Sequence, residues 1–208
     1  MCRLALIGLT TIALLIGASH IRIAAAEDGP GTRAVRRANA TITALLKQKA
    51  APGSADEKRL AAQVTSSVRD FLDVDALGRR ALTDHWQGLT KAQKSQFLAL
   101  LRQLIEGNYV KGLRANLEYQ VAYTGEKEKG DDLIVSTEIK TKRRGRPYTI
   151  AIDYVLRKDG KNLRAFDIVT DGVGLVENYR AQFNRIIAKR GFDDLIARMK
   201  RKAEKTQQ

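Results

Sequence analysis

Thiols are almost absent from this 208-residue chain; Cys2 is its single cysteine. A disulfide framework and a cysteine-ligated metal site are therefore excluded. Histidine is nearly as scarce. His20 and His85 are the only two, which is too few for a His-rich metal centre, and no H-E-x-x-H occurs. There is no P-loop and no G-x-S-x-G elbow. Three prolines against 44% apolar residues rule out a collagen-like or wholly disordered chain and favour one globular domain. Acid is also in short supply: 23 Asp+Glu face 37 Lys+Arg, for a formal charge of +14.

Residues 1–26 contain no acid at all. Arg3 precedes an apolar run from Leu4 to Ala18, and Ala24-Ala25-Ala26 follows just before Glu27 and Asp28. That is the layout of a cleaved secretory signal peptide, and the run falls short of the roughly 20 apolar residues of a membrane span. The expected organisation is a signal at 1–26 and a single domain at 27–208 with a basic C-terminal tail. Cleavage removes Cys2 and His20, leaving a thiol-free chain suited to an oxidising compartment. Export also changes what the positive charge implies. Outside the cytoplasm the default anionic partner is a membrane surface, not nucleic acid.

Along the mature chain, Val35, Ala38, Ile42, Leu45 and Leu46 recur at helical spacing, and Leu60, Val64, Val68 and Phe71 mark a second helix. Asp75 to Leu82 reads as a short third. Thr90 with Gln93 forms a capping box for a helix carrying Phe97, Leu100, Leu101, Leu104, Ile105 and Val110. After Asn116 the period drops from about 3.6 to 2. Strands are expected at Tyr119–Tyr123, Leu133–Thr141, Tyr148–Tyr154 and Leu163–Val169. The links between them are a charged turn at Gly125–Asp132, a basic turn at Lys140–Arg146 and an Asp159-Gly160 hairpin. Asp171-Gly172-Val173-Gly174 breaks the last strand. A helix from Val176 ends at Gly191, and Phe192, Leu195, Ile196 and Met199 line a final one. This order is α+β: a curved antiparallel sheet of about four strands with helices on one face.

Little here resembles a catalyst. His85-Trp86 is distinctive, but no nucleophile or orienting acid accompanies it, so a packed corner is the better reading. Asp153, Asp167 and Asp171 invite thoughts of paired carboxylates, yet strand carboxylates commonly pair with Arg or Lys. Gly172-Val173-Gly174 lacks the third glycine of a dinucleotide fingerprint and follows an antiparallel meander. Lys140, Lys142, Arg143, Arg144 and Arg146 make one dense cationic turn, read equally as an anionic-headgroup contact or a solvated tip that discourages edge pairing.

Two stretches carry a resemblance. Leu77-Gly78 to Leu82, His85-Trp86 and Leu89-Thr90-x-x-Gln93-x-x-x-Phe97 form the first. Phe166-Asp167-Ile168-Val169-x-Asp171-Gly172-Val173-Gly174-Leu175-Val176-x-Asn178-Tyr179-Arg180, with Phe183, Ile186-Ile187 and Gly191-Phe192-Asp193-Asp194-Leu195, form the second. Together they resemble the MlaC family of periplasmic phospholipid-binding proteins, also called toluene-tolerance auxiliary components of an ABC transport system. Asp171 and Gly174 depart from the Glu and Ser more usual there. The resemblance implies a non-enzymatic, monomeric periplasmic carrier with phospholipid as its ligand and no cofactor or metal. It further implies shuttling between an outer-membrane lipoprotein complex and an inner-membrane Mla-type ABC transporter, through transient membrane contact, so as to maintain outer-membrane lipid asymmetry. A hopanoid-type cargo and a cationic envelope-binding module are the alternatives. An enzyme using Asp153 or Asp167 as base in an apolar pocket is a third.

A tail pocket needs an apolar sheet face opposed to apolar helices. Tyr148, Ile150, Ile152 and Tyr154 offer one strand stripe, and Phe166 and Ile168 another. Leu101, Leu104, Tyr109, Tyr179, Phe183 and Ile186 are the helical residues expected to face them. Lys142, Arg143, Arg144 and Arg146 are the expected headgroup or membrane contacts.

Overall fold

A computed structural model of the protein describes residues 28–51, 53–114, 119–143 and 145–207. The signal segment thus lies outside the described residues. The elements run α1 (Pro30–Leu46), α2 (Ala55–Phe71), α3 (Val74–Ala81), α4 (Thr83–Trp86), α5 (Lys91–Arg114), β1 (Gln120–Lys129), β2 (Asp132–Arg143), β3 (Arg146–Asp159), β4 (Asn162–Thr170), β5 (Val173–Gly174) and α6 (Leu175–Gln207). Helices come first, then an antiparallel meander in the order β1-β2-β3-β4-β5, then a helix. The α+β expectation holds, with five strands instead of four.

The starts of α2, α3 and α5 have local causes. Ser54 and Asp73 cap α2 and α3 by accepting from the N–H of Glu57 and of Ala76. Thr90 and Gln93 bond reciprocally at 2.9 and 3.2 Å, so the capping box before α5 is real. Leu60, Val64, Val68 and Phe71 of α2 are all buried, as their spacing requires. α6 is interrupted at Gly191, whose φ of 80° and ψ of 171° no helix permits. The helix bends there and continues, bringing Leu195, Ile196 and Met199 into the core.

The strands outrun their apolar stripes. β1 continues through Gly125–Lys129 and β2 begins at Asp132, so the expected eight-residue charged turn is mostly strand, linked by Gly130-Asp131. Its polar side chains hid it, because backbone pairing does not need apolar residues on both faces. Likewise β2 and β3 pair out to Arg143 and Arg146. The Gly172-Val173-Gly174 break is partly strand: Asp171 (φ 47°) and Gly172 (φ 85°) form a hairpin turn, after which Val173 and Gly174 pair back on Thr170 and Val169.

Register fixes which side chains share a face. Leu133, Val135, Thr137 and Ile139 of β2 stand opposite Leu156, Tyr154, Ile152 and Ile150 of β3, and Tyr123 and Val121 of β1 join them. This face meets the helices. Tyr154 touches Phe71 of α2 edge-on at 5.8 Å, and Val135 lies against Gly31 of α1. The main core joins it to α3, α5 and α6 through Leu77, Leu82, Phe97, Leu101 and Phe183. A separate small cluster, Ile42, Leu46, Val64 and Val68, holds α1 to α2.

Candidate functional site

The inner sheet face changes character along its length. At the end nearest the β1–β2 and β3–β4 turns, Val135 and Leu156 are fully buried and Tyr154 is 4% exposed. Toward the β2–β3 turn, Val121, Ile139, Ile150 and Ile152 are only half-buried, and Tyr148 is 37% exposed. Val121, Ile139 and Ile150 belong to neither apolar cluster of the described residues, although Ile139 and Ile150 are direct cross-strand partners. An apolar face that points at the helices yet stays out of the core is the candidate site.

α1 spans this face and is held by polar contacts. Its N-terminus has no side-chain cap of its own. Instead Glu126 of β1 accepts from Gly31 N (3.0 Å), Thr32 N (2.7 Å) and Thr32 Oγ1 (2.8 Å). Burial pushes the Glu126 carboxyl up, but these three donors outweigh it and hold it below its ordinary value. Farther along α1, Asn39 Nδ2 donates to the Tyr123 hydroxyl at 3.2 Å, and the Thr43 and Tyr119 hydroxyls lie 2.8 Å apart. Burial pushes the Tyr154 phenol beneath them up to about 12, with Asn39 partly offsetting it. α1 is therefore pinned over the sheet by a seam of hydroxyls and an amide.

The expected lining residues divide into three sets. Tyr148, Ile150, Ile152, Tyr154 and Ile168 share the inner face by register, with Tyr148 and Ile150 toward its open end and Tyr154 at the closed one. Leu101, Leu104 and Phe183 are packed in the helical core; Phe97 meets Phe183 at 5.4 Å and Tyr179 stacks on it at 5.4 Å. Burial raises the Tyr179 phenol. Ile186 is half-buried beside them. Phe166 is in neither cluster: it is the extra residue of a β4 bulge, with Arg80 4.0 Å and Arg157 5.3 Å from its ring centre. The Tyr109 side chain lies outside the described residues.

Of the cationic set, Lys142 and Arg146 are exposed at the β2–β3 end, beyond Ile139 and Ile150. The Arg143 side chain and Arg144 lie outside the described residues. The three carboxylates of the enzyme alternative are placed in the sheet and its turns. Asp153 alternates away from the inner face, Asp167 Oδ1 accepts from Val176 N at the start of α6, and Asp171 Oδ1 accepts from Ala151 N. His85 and Trp86 sit on the short α4, with Trp86 against the core and Lys94 5.4 Å from its ring. Among the described residues no group of His, Cys, Asp or Glu is placed to hold a metal ion, and no helix is long and apolar enough to cross a membrane. Sequence reasoning missed Glu126, Asn39 and Thr43, whose partners lie 76 to 95 residues away.

Comparison with known proteins agrees with this architecture. The family model described as MlaC protein matches residues 36–201. The intermembrane phospholipid transport system binding protein MlaC of Haemophilus influenzae is 23% identical over 150 residues, 71% of this chain and 70% of that one. A phospholipid-binding protein from Ralstonia solanacearum, solved in complex with a phospholipid, has a TM-score of 0.69 and 22% identity. That alignment covers 85% of this chain and 98% of the other, and at such identity it speaks to the fold.

Proposed function

The chain belongs to the MlaC family, and from that premise we propose that it is a non-enzymatic phospholipid carrier of an intermembrane transport system. The observation that carries the reading is the half-buried inner face around Ile139 and Ile150, which offers acyl tails an apolar surface outside the packed core. Tails lie there beneath α1. The headgroup faces the β2–β3 end, where Lys142 and Arg146 stand exposed.

The energetics suit a shuttle. Two acyl chains hold about 30 methylenes, worth about 0.8 kcal/mol each on leaving water. That sum passes the practical ceiling of roughly 18–21 kcal/mol for any affinity. Water is therefore the wrong reference. Moving tails from a bilayer to an apolar protein surface exchanges like for like, so loading and unloading need no chemistry if docking keeps water out. On this reading the mature protein works in the periplasm after signal cleavage at Ala26. It passes lipid between an outer-membrane lipoprotein complex and an inner-membrane ABC transporter, as a monomer that touches the membrane transiently. That traffic maintains outer-membrane lipid asymmetry.

The test is direct. Protein expressed in its natural envelope and purified without added lipid carries co-extractable phospholipid by mass spectrometry. Ile150→Asp places a charge on the tail face and sharply lowers that load while circular dichroism stays native. Lipid-free wild-type protein, or an unchanged load in the variant, overturns the reading.

A further inference from the structure

The closed end of the molecule carries a feature that the tail face does not use. A cleft of about 810 Å³ opens between the first half of α1, the last turn of α2 and the β3–β4 turn. Its walls bring together Arg33 and Arg37 of α1, Arg69 of α2, Lys161 of the turn and Arg164 of β4. None lies in the cationic run that the sequence displays. The fold assembles them from three separate segments.

Their charges are unevenly matched. Arg69 is engaged by both Glu106 oxygens at 2.9 Å, and Arg164 by Asp159 at 2.9 Å. Among the described residues no ion pair engages Arg33, Arg37 or Lys161, although the Arg33 guanidinium donates to the Asp28 backbone carbonyl; Asp70 is the one further carboxylate in the wall. Two positive charges are left over. Arg33 and Arg37 also stand four apart on one helix face, where like charges weaken a helix. Arg164 adds an unused donor. Its terminal nitrogens are held by Asp159 and by the carbonyls of Arg69 and Leu72, but Nε is buried with no hydrogen-bond partner among the described residues. A buried donor left unmade is costly, and this one belongs to a residue of the cleft wall.

We propose that this cleft binds a phosphate monoester dianion at a site separate from the tail face. A phosphate monoester carries about −1.5 to −2 near pH 7, which matches the surplus. Guanidinium forks pair bidentately with carboxylate and phosphate alike, but the extra oxygens and double charge of a phosphate monoester let it engage two cations at once. Concavity suits a discrete group over a flat surface. Phe71 and Leu163 give the cleft an apolar flank for whatever the phosphate is attached to.

Two sources carry this chemistry, a soluble phosphomonoester and a phosphomonoester headgroup presented by a bilayer. The experiment titrates the full protein with inorganic phosphate at fixed ionic strength, by calorimetry or amide shifts. It also tests flotation with phosphatidylcholine vesicles with and without phosphatidic acid. The variants are Arg37→Glu/Lys161→Glu and the milder Arg37→Gln/Lys161→Gln, all at exposed positions. Co-purified lipid is measured on the same samples, so loss of the cargo reading is distinguishable from loss of this one. The expected result is saturable binding that weakens at least about tenfold in both variants with lipid load unchanged. Saturation by free phosphate alone assigns a soluble source, and flotation only with phosphatidic acid assigns a bilayer one. Absence of binding to either probe, or equal binding by the variants, overturns the proposal. So does equal competition by polyglutamate, which would mark a general acidic-peptide surface.

Discussion

Two ends of one sheet face behave differently. On β3, Leu156 is fully buried and joins a core that includes helical residues from α1, α2, α3, α5 and α6, whereas Ile150, six residues back on the same face, is half-buried and outside it. The β2–β3 register runs unbroken from one end to the other, and the inward side chains are apolar at both. What differs is the cover. At the closed end Glu126 clamps the start of α1, and the end of α2 adds a parallel bridge from Leu72 to Ala165 of β4. Toward the other end α1 leans on hydroxyls, with its apolar residues Ile42 and Leu46 turned to α2. Full burial of a side chain such as Ile150 is worth about 1.5–3 kcal/mol, and its half-buried state forgoes part of that.

Truncating Leu156 and Ile150 in parallel separates the two ends by the widest margin. Leu156→Ala removes fully buried methylenes and is expected to cost about 2–5 kcal/mol. That corresponds to a fall in Tm of about 4–20 °C for a chain of this size. Ile150→Ala in delipidated protein is expected to cost under about 1 kcal/mol, since its side chain is already half-exposed. Thermal melts of both decide the matter. Equal losses would mean that the two ends are packed alike and that the comparison fails.

How much of this is legible in the sequence follows from what is local. Period-2 stripes located all four long strands, and Thr90 with Gln93 located the start of α5, because both signals lie within a few residues. Gly191 signals a helix break by its residue type, since its backbone is one no side-chain-bearing residue favours, although the chain resumes its helix at once. The second half of β1 and the two-residue β5 were illegible, since one is polar and the other too short for a period. The site was legible as a stripe but not as a boundary. Nothing in the spacing of Tyr148, Ile150, Ile152 and Tyr154 tells that the last is sealed and the first is 37% exposed. Phe166 shows the same limit: a one-residue bulge moved it out of the stripe and between two arginines. Charge partners were least legible of all, because Glu126 and Thr32 meet only once the fold has formed.

Removing the charge of the Glu126 clamp is expected to have the next largest effect. Glu126→Gln keeps one acceptor but loses the charge that three donors converge on. Loss of a cap and its helix-dipole contact is expected to cost about 1 kcal/mol, or a fall of about 2–4 °C in Tm. The pH dependence has a definite sign. The folded-state pKa lies below the ordinary 4.5, so the contribution is full above that value and drains away as pH falls through the folded one. Wild-type and variant melting curves should converge on acidification below about pH 4.5. A constant gap down to the lowest pH would remove the clamp from the explanation of the closed end.

The hydroxyl seam gives the smallest effect. Thr43→Val keeps the side-chain shape and deletes the 2.8 Å contact with the Tyr119 hydroxyl. Both groups are only half-buried, so water replaces much of what is lost and the cost should be about 0.5 kcal/mol. That is about 1–2 °C in Tm. On the carrier reading proposed above, a weak seam suits a cover that gives way at this end while its Glu126 end holds. Hydrogen exchange separates the two ends of α1 directly. Thr43→Val should speed exchange near Ile42–Leu46 and leave Val35 and its neighbours unchanged. Equal acceleration along the whole helix would show that α1 moves as one body, with no difference between its anchored and its leaning half.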